Sequence, residues 1–244
     1  MRKTFYRLRR ILACLVVLGV SGPAKLPAKN AESASVRQET LIDQDWRFHS
    51  GEVASSNQVI AKNYDDAQWQ RVQLPHDYGL DGHYDPTNLR QRGYLPVDVA
   101  WYRKHFFISK FDQGEILQLE FGGIFRDSQV WLNGEFLGSH ASGYTGFHFD
   151  ISKAARCGGD NVIVVRVDPR EREGWRYEGA GIYRHVYYRA MSPVHVANYG
   201  TYVISTVPNG NEGAADVAEL TIETAVENHD GALTQVRQLE SRNR

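Results

Sequence analysis

Val130-Trp131-Leu132-Asn133-Gly134-Glu135-Phe136-Leu137 is the stretch on which the reading of the fold turns. Asn-Gly between two apolar runs is a strong hairpin signature. Both central positions of a type I′ turn need positive φ, which Gly adopts freely and Asn tolerates. Working outward, Leu117, Leu119 and Phe121 form an apolar stripe, with Gln118 and Glu120 expected to point away from it. From Val99 the chain alternates, placing Trp101, Arg103, His105 and Phe107 on one face and Tyr102, Lys104, Phe106 and Ile108 on the other. Val162 to Val167 is an unbroken apolar strand of the kind found in the middle of a sandwich. Tyr187-Tyr188 and Val194-His195-Val196 add further strands.

Toward the start, Thr40-Leu41-Ile42 and Trp46-Arg47-Phe48 read as strands around a turn at residues 43–45. A helical turn over residues 65–69 approaches the strand Val72-Gln73-Leu74, which Pro75 ends. No helix longer than a turn or two is required. Short strands with Gly-rich turns predict an all-β protein, with a jelly-roll sandwich over residues 39–198. Residues 199–244 hold two more strands, Tyr202-Val203-Ile204-Ser205 and Leu220 through Val226, around a Gly/Asn loop. That is too few strands for a domain and predicts an immunoglobulin-like sandwich cut short. Trp101, Trp131 and Phe147 are assigned to the core.

Composition narrows the function classes. An apolar content of 42% and charged content of 23% fit a folded, water-facing protein. A net charge of −1 gives no broad steering toward nucleic acid or anionic membrane. Residues 1–10 carry five cations, residues 11–20 are apolar, and Ser21-Gly22-Pro23-Ala24 are small or helix-breaking. The pattern predicts a secretory signal peptide over residues 1–24, since the apolar run is about half the roughly 20 residues of a spanning helix. Residues 25–38 then form a linker, and the mature protein is secreted or periplasmic, with no membrane attachment once the signal is removed. Cys14 and Cys157 are the two cysteines, so removal of the signal leaves Cys157 without an intrachain partner. The nine histidines show neither His-Glu-x-x-His nor His-x-x-x-His spacing, so the expected cofactor and metal complement is none. No Gly-x-Ser-x-Gly elbow supports acyl transfer, and His76, His140, His148 and His185 have no partners visible in the sequence.

The run Trp175-Arg176-Tyr177-Glu178-Gly179-Ala180-Gly181-Ile182-Tyr183-Arg184-His185-Val186 interleaves aromatics, charges and glycines between two strand-like runs. Aromatic faces stack on sugar rings, and Arg or Glu side chains bond hydroxyls in fixed geometry. The segment reads as a carbohydrate-facing rim.

Several motifs taken in order carry a family resemblance. They are Leu74-Pro75-His76-Asp77-Tyr78, Gly93-Tyr94-Leu95-Pro96 running to Trp101-Tyr102-Arg103-Lys104, and Phe121-Gly122-Gly123. Val130-Trp131-Leu132-Asn133-Gly134, Tyr144-Thr145-Gly146-Phe147, Asp150-Ile151 and the run through Arg184 follow. Together they resemble the amino-terminal region of glycoside hydrolase family 2, in particular bacterial β-galactosidase-like members, over about residues 40–200. The resemblance implies a jelly-roll sugar-binding domain, an immunoglobulin-like domain and then a (β/α)8 barrel with two catalytic glutamates, which act as a carboxyl pair in retaining hydrolysis. The acid/base Glu of the family follows an Asn. The Asn211-Glu212 of this chain lies in a Gly/Asn loop far too early for that role, and the 44 residues after Gly200 cannot hold eight βα units. The expectation is a fragment without catalytic residues, a β-galactoside or related glycan as ligand, and the missing barrel as structural partner. The alternatives are a stand-alone carbohydrate-binding module and a purely structural docking domain.

The candidate carbohydrate-binding residues are Trp175, Tyr177, Glu173, Glu178, Asp77 and Arg184. Each has a second reading. Asp77 either contacts sugar at a domain edge or caps a turn with its own carboxylate. Arg184 either reaches a substrate hydroxyl or pairs with an acid such as Asp127. Trp175 and Tyr177 form a sugar platform or pack on the barrel, and Glu173 and Glu178 line the rim of a neighbouring active site or sit solvated in turns.

Overall fold

The computed structural model describes residues 37–171, 174, 178–206 and 219–231. Twelve strands make up these residues: β1 (Arg37–Leu41), β2 (Trp46–Ser50), β3 (Gln70–Val72), β4 (Ala100–Ile108), β5 (Ile116–Phe121) and β6 (Ser128–Leu132) come first. They are followed by β7 (Glu135–His140), β8 (Phe147–Asp150), β9 (Gly159–Val167), β10 (Val186–Met191), β11 (Val194–Thr206) and β12 (Glu219–Asn228). The one α-helix among the described residues, α1, is the single turn Ser56–Val59. No described helix is long and apolar enough to cross a membrane.

The hairpin forms as the sequence predicts. Asn133 has φ 54° and Gly134 φ 90°, the two positive values of a type I′ turn, and Trp131 pairs with Phe136 across it. The Asn133 side chain does more than turn the chain. Its Nδ2 donates to the Ala154 carbonyl at 2.9 Å and its Oδ1 accepts from the Val162 amide at 3.0 Å, fixing the hairpin to the start of β9.

Two antiparallel sheets result. One has the order β1-β10-β5-β8 and the other β3-β2-β4-β9-β6-β7. Between them lies one apolar core built from Trp46, Phe48, Tyr102, Leu117, Leu119, Phe121, Leu132, Ile163, Val165 and Tyr188, among others. Residues 37–191 form one compact unit, and residues 192–244 fall in another whose described strands are β11 and β12. The fold is all-β, a two-sheet sandwich followed by an antiparallel two-stranded segment.

Several local expectations change. β4 alternates as read, yet Ala100 through Lys104 are buried on both faces. Trp69, Val59 and Val99 cover its outer side, building a second cluster with Trp101, Val162 and Val164. Within that cover Arg103 donates to Asp66 at 2.8 Å and His105 bonds the same carboxylate at 2.8 Å. Burial opposes ionisation of Asp66, but the hydrogen bonds from Arg103 and His105 outweigh it and hold its carboxyl below the usual range. Gln118 and Glu120 leave the apolar stripe as expected, but they are buried. Glu120 is clamped by the Arg189 guanidinium, which also binds Glu39 at 2.7 Å from the edge strand. Trp101 is fully buried, whereas Trp131 and Phe147 are half-buried at the margins of their clusters. The strands read separately at Val194 and Tyr202 are one strand, β11, with an irregularity between Val196 and Thr201.

The sandwich has two unlike ends. The registers place Ala100, Val167, Ser128 and His140 at one end of the larger sheet and Ile108, Gly159 and Leu132 at the other. In the smaller sheet Phe121, Phe147 and Val186 share the first end. The long connections 73–99 and 168–185 open at that first end, together with loops 122–127 and 141–146. The second end has the compact turns 109–115, 133–134 and 151–158. The 51–69 connection, which crosses the outer face of the larger sheet, reaches it where Lys62 Nζ donates to the Asp160 carbonyl at 2.5 Å.

Candidate functional site

The long-loop end is assembled from polar staples on a buried aromatic base. The Leu74-Pro75-His76-Asp77-Tyr78 motif enters it from β3. Its backbone pairs with the glycine-rich run: the His76 amide donates to the Ile182 carbonyl at 2.8 Å and the Tyr78 amide to the Ala180 carbonyl at 3.1 Å. On its other side, Gly181 exchanges two 2.9 Å backbone hydrogen bonds with Phe125. Gly181 has φ +106°, and a Cβ there would stand 2.3 Å from the Tyr102 hydroxyl and 2.8 Å from the His76 carbonyl. Only glycine allows three segments to cross this closely.

Asp77 locks the crossing. Its Oδ1 accepts from the Gly79 amide at 3.2 Å, capping a 3₁₀ turn over Tyr78–Asp81, and from the Ala180 amide at 2.8 Å. Of its two readings the turn-capping one describes these contacts. Beneath, His76 Nδ1 lies 2.8 Å from the Tyr102 hydroxyl and Nε2 lies 3.0 Å from Asp81. The Tyr102 hydroxyl is buried, and burial pushes its pKa well above the ordinary phenol value, so the Tyr–His–Asp chain acts as a structural relay closed to solvent at its tyrosine. Tyr78 donates to the Asp98 carbonyl, and burial raises its pKa too.

Arg92 fastens the second long connection. This buried guanidinium donates from one Nη2 to the carbonyls of Pro169, Arg170 and Glu171, the last two at 3.1 Å each. At the same place Arg170 donates two 2.7 Å bonds to Asp168, holding the Asp168 carboxyl down to about 2. The entry to the rim segment is thus tied to the loop of residues 89–98.

Above these ties lies an exposed surface. Tyr84 is 78% exposed and Tyr144 54%, with Leu80, Leu89 and Tyr94 also uncovered on the same loops. The ring of Tyr144 meets Phe125 edge-on at 5.6 Å, and the Tyr183 hydroxyl donates to the Gly143 carbonyl at 2.8 Å. Beside it an open polar cleft of about 230 Å³ runs between the ends of β6, β7 and β9, lined by Asp127, His140, Arg166 and Asp168 among others. Aromatic faces, amide-lined turns and charged edges are the elements with which proteins hold hydroxylated rings.

Of the six candidate residues, Trp175, Tyr177 and Glu173 lie outside the described residues, as does Asn211-Glu212. Glu178 accepts a hydrogen bond from the Gly174 amide. Arg184 is exposed, its guanidinium 5.8 Å from the centroid of the Tyr183 ring. The expected pair with Asp127 does not form, because Asp127 is engaged by the adjacent Arg126 at 3.2 Å and Arg184 packs beside Gly122. The structure therefore brings Asp77 against Gly179 and Ala180, next to Glu178, and leaves Arg184 at the surface.

Sequence reasoning missed Arg92 altogether. Its acceptors are main-chain carbonyls more than seventy residues away, which leave no mark in the sequence. It also left the histidines unpartnered. His185 bonds Asp43 at 2.5 Å across 142 residues, and His140 stacks on Phe147 at 4.2 Å. His76 was already part of a quoted motif, and only the fold brings Tyr102 to it.

Comparison with known proteins agrees with this geometry. The profile described as glycosyl hydrolases family 2, sugar binding domain, matches residues 34–191. The β-galactosidase BoGH2A of Bacteroides ovatus is 35% identical over 187 residues, covering 75% of this chain and 22% of that protein. A β-glucuronidase of Formosa agariphila is 29% identical over 225 residues, covering 80% of this chain and 22% of the relative. A β-glycosidase structure from Bacteroides vulgatus superimposes with a TM-score of 0.72 at 31% identity, covering 80% of this chain and 25% of that one. The chain thus spans about a quarter or less of the length of these relatives. It belongs to glycoside hydrolase family 2, and residues 34–191 match that family's sugar-binding domain.

Proposed function

We propose that the long-loop end is the sugar-facing surface of this domain, and that it forms the rim of an active site whose catalytic glutamates belong to a barrel outside this chain. The supporting observation is the asymmetry of the sandwich. The long connections 73–99 and 168–185, the family's glycine-rich run and the exposed Tyr84 and Tyr144 gather at one end, where polar ties hold them in place. The third long connection, 51–69, packs on the outer face of the larger sheet. In the complete protein the activity would be hydrolysis of O-glycosyl bonds, with a β-galactoside as the first substrate to try and a β-glucuronide as the second, in line with the named activities of the relatives. The amino-terminal residues 1–24 would direct export to the periplasm or medium, with a 25–38 linker, a sandwich to residue 198 and the start of a second sandwich after it. No catalytic residue is assigned within this chain.

The test is saturation-transfer NMR of the chain with methyl β-galactoside and methyl β-glucuronide. Transfer from protein to ligand is expected, and Trp175→Ala should weaken binding by about 1–3 kcal/mol, on the scale of aromatic stacking on a planar ring. Binding unchanged in both Trp175→Ala and Arg184→Ala would remove this rim from consideration. The absence of any transfer would favour the purely docking role. Turnover of a chromogenic β-galactoside that vanishes in Glu212→Gln would overturn the assignment of chemistry to a missing barrel.

A further inference from the structure

Outside the sandwich, one cluster has the chemistry of a metal site. His195 and Glu227 are direct cross-strand partners on β11 and β12, and His229 follows Glu227 by two residues, one past the end of β12. The backbone continues the pairing, since the His229 amide donates to the Pro193 carbonyl at 2.9 Å. This register points three side chains at one place. Glu227 Oε2 lies 3.7 Å from His195 Nε2 and 3.3 Å from His229 Nε2, and one ligand atom from each residue falls within 4.8 Å of the others. The two imidazole rings are parallel, at an interplanar angle of 3°.

The tautomer of His195 is set by its other nitrogen. Nδ1 lies 2.7 Å from the Ser192 carbonyl, an oxygen that can only accept, so Nδ1 carries the proton. That leaves Nε2 facing the Glu227 carboxylate, where in the neutral ring it presents a lone pair that a cation between the two would engage. A ring nitrogen donating to a backbone carbonyl while the other faces the metal is the usual support of a ligating histidine. The His195 side chain is 2% exposed, whereas His229 and Glu227 are each 29% exposed, giving a buried wall and a solvent-facing entry.

We infer that His195, Glu227 and His229 bind one divalent transition-metal ion of the zinc class. Two imidazoles and one carboxylate suit such an ion, and bonds of about 2.0–2.2 Å would draw together donors that now stand within 4.8 Å of one another. Water would complete the coordination. The ligands stand at the start of β11 and the end of β12, so the ion would tie together the two strands of a sheet that is marginal by itself. This site is independent of the sugar-facing rim.

The experiment is equilibrium dialysis of the untagged full-length chain against Zn²⁺, with bound metal counted by atomic emission and stability followed by thermal unfolding. One Zn²⁺ per chain and a rise in the unfolding temperature of residues 192–231 are expected. His229→Gln and Glu227→Gln, both partly exposed and tolerant positions, should each weaken binding about tenfold or more. His148→Gln, exposed on β8 of the sandwich, should leave it unchanged. A chain that binds no Zn²⁺, or binds it equally in His229→Gln and Glu227→Gln, would overturn the inference and leave the cluster as an ion pair between Glu227 and a protonated His195.

Discussion

The two ends of the sandwich solve the same problem in different ways. At the tight-turn end the turns 109–115, 133–134 and 151–158 are short, and local backbone chemistry sets their course. Asn133-Gly134 does so with its pair of positive φ values, and the Asn133 side chain adds ties to Ala154 and Val162. At the long-loop end the connections 73–99 and 168–185 are too long to hold themselves. Buried and half-buried side chains fasten them by hydrogen bonds to main-chain groups: Asp77 to Gly79 and Ala180, Arg92 to residues 169–171, Tyr183 to Gly143. A surface built in this way can display varied side chains on fixed backbones, which is what a recognition rim requires. The difference also says where the molecule should be fragile.

The largest effect is expected at Gly181. Gly181→Val puts a side chain where Tyr102 and the His76 carbonyl already stand, at a φ that valine does not adopt. A loss of at least about 3 kcal/mol in urea unfolding is expected; a smaller loss would mean that the crossing is not closely packed. Asp77→Ala comes next. It strands the Gly79 and Ala180 amides and should cost about 2–3 kcal/mol, while Asp77→Asn, which retains an acceptor oxygen, should recover part of it. Equal losses in the two variants would show that charge, not the accepted hydrogen bonds, matters there.

Asp168 supplies a pH test of the same end. Its carboxyl is held at about 2 by Arg170, below its ordinary value of 3.8. A folded-state pKa below the unfolded one gives stability that is complete above about pH 5 and is lost as the pH falls toward 2. The contribution is on the order of 1–2 kcal/mol. In Asp168→Asn the gap from wild type should therefore close between about pH 5 and pH 2, as read by chemical unfolding at each pH. A gap constant with pH would contradict the pairing. The smallest effect is expected at the opposite end. Gly134→Ala meets nothing closer than the Ile60 carbonyl at 3.7 Å, so only its φ of 90° resists the change, at about 1 kcal/mol.

The same contrast explains what the sequence could disclose. The hairpin at Asn133-Gly134 and the buried strand β9 were legible because their signals are local: a turn dipeptide, a run of β-branched residues. The stripe Leu117, Leu119, Phe121 was likewise correct as a core face. Its partner Glu120 points away from that face as read, but its burial left no local mark, because the cation that covers it, Arg189, lies 69 residues later. At the rim, order and spacing of motifs revealed the family, and Asp77 could be assigned two roles. Choosing the capping role needed Ala180 beside it, 103 residues away. Arg184 was given the wrong companion for the same reason, since an exposed arginine carries no sequence mark of which acid the fold presents to it.

The central claim is that sugar recognition belongs to the long-loop end and not to the tight turns. Titrating the ¹⁵N-labelled chain with methyl β-galactoside while following its amide spectrum tests this most directly. Shifts confined to residues 76–99, 141–146 and 168–185 are predicted, with 109–115, 133–134 and 151–158 unmoved. Shifts centred on the tight turns, or none anywhere at saturating sugar, would contradict it.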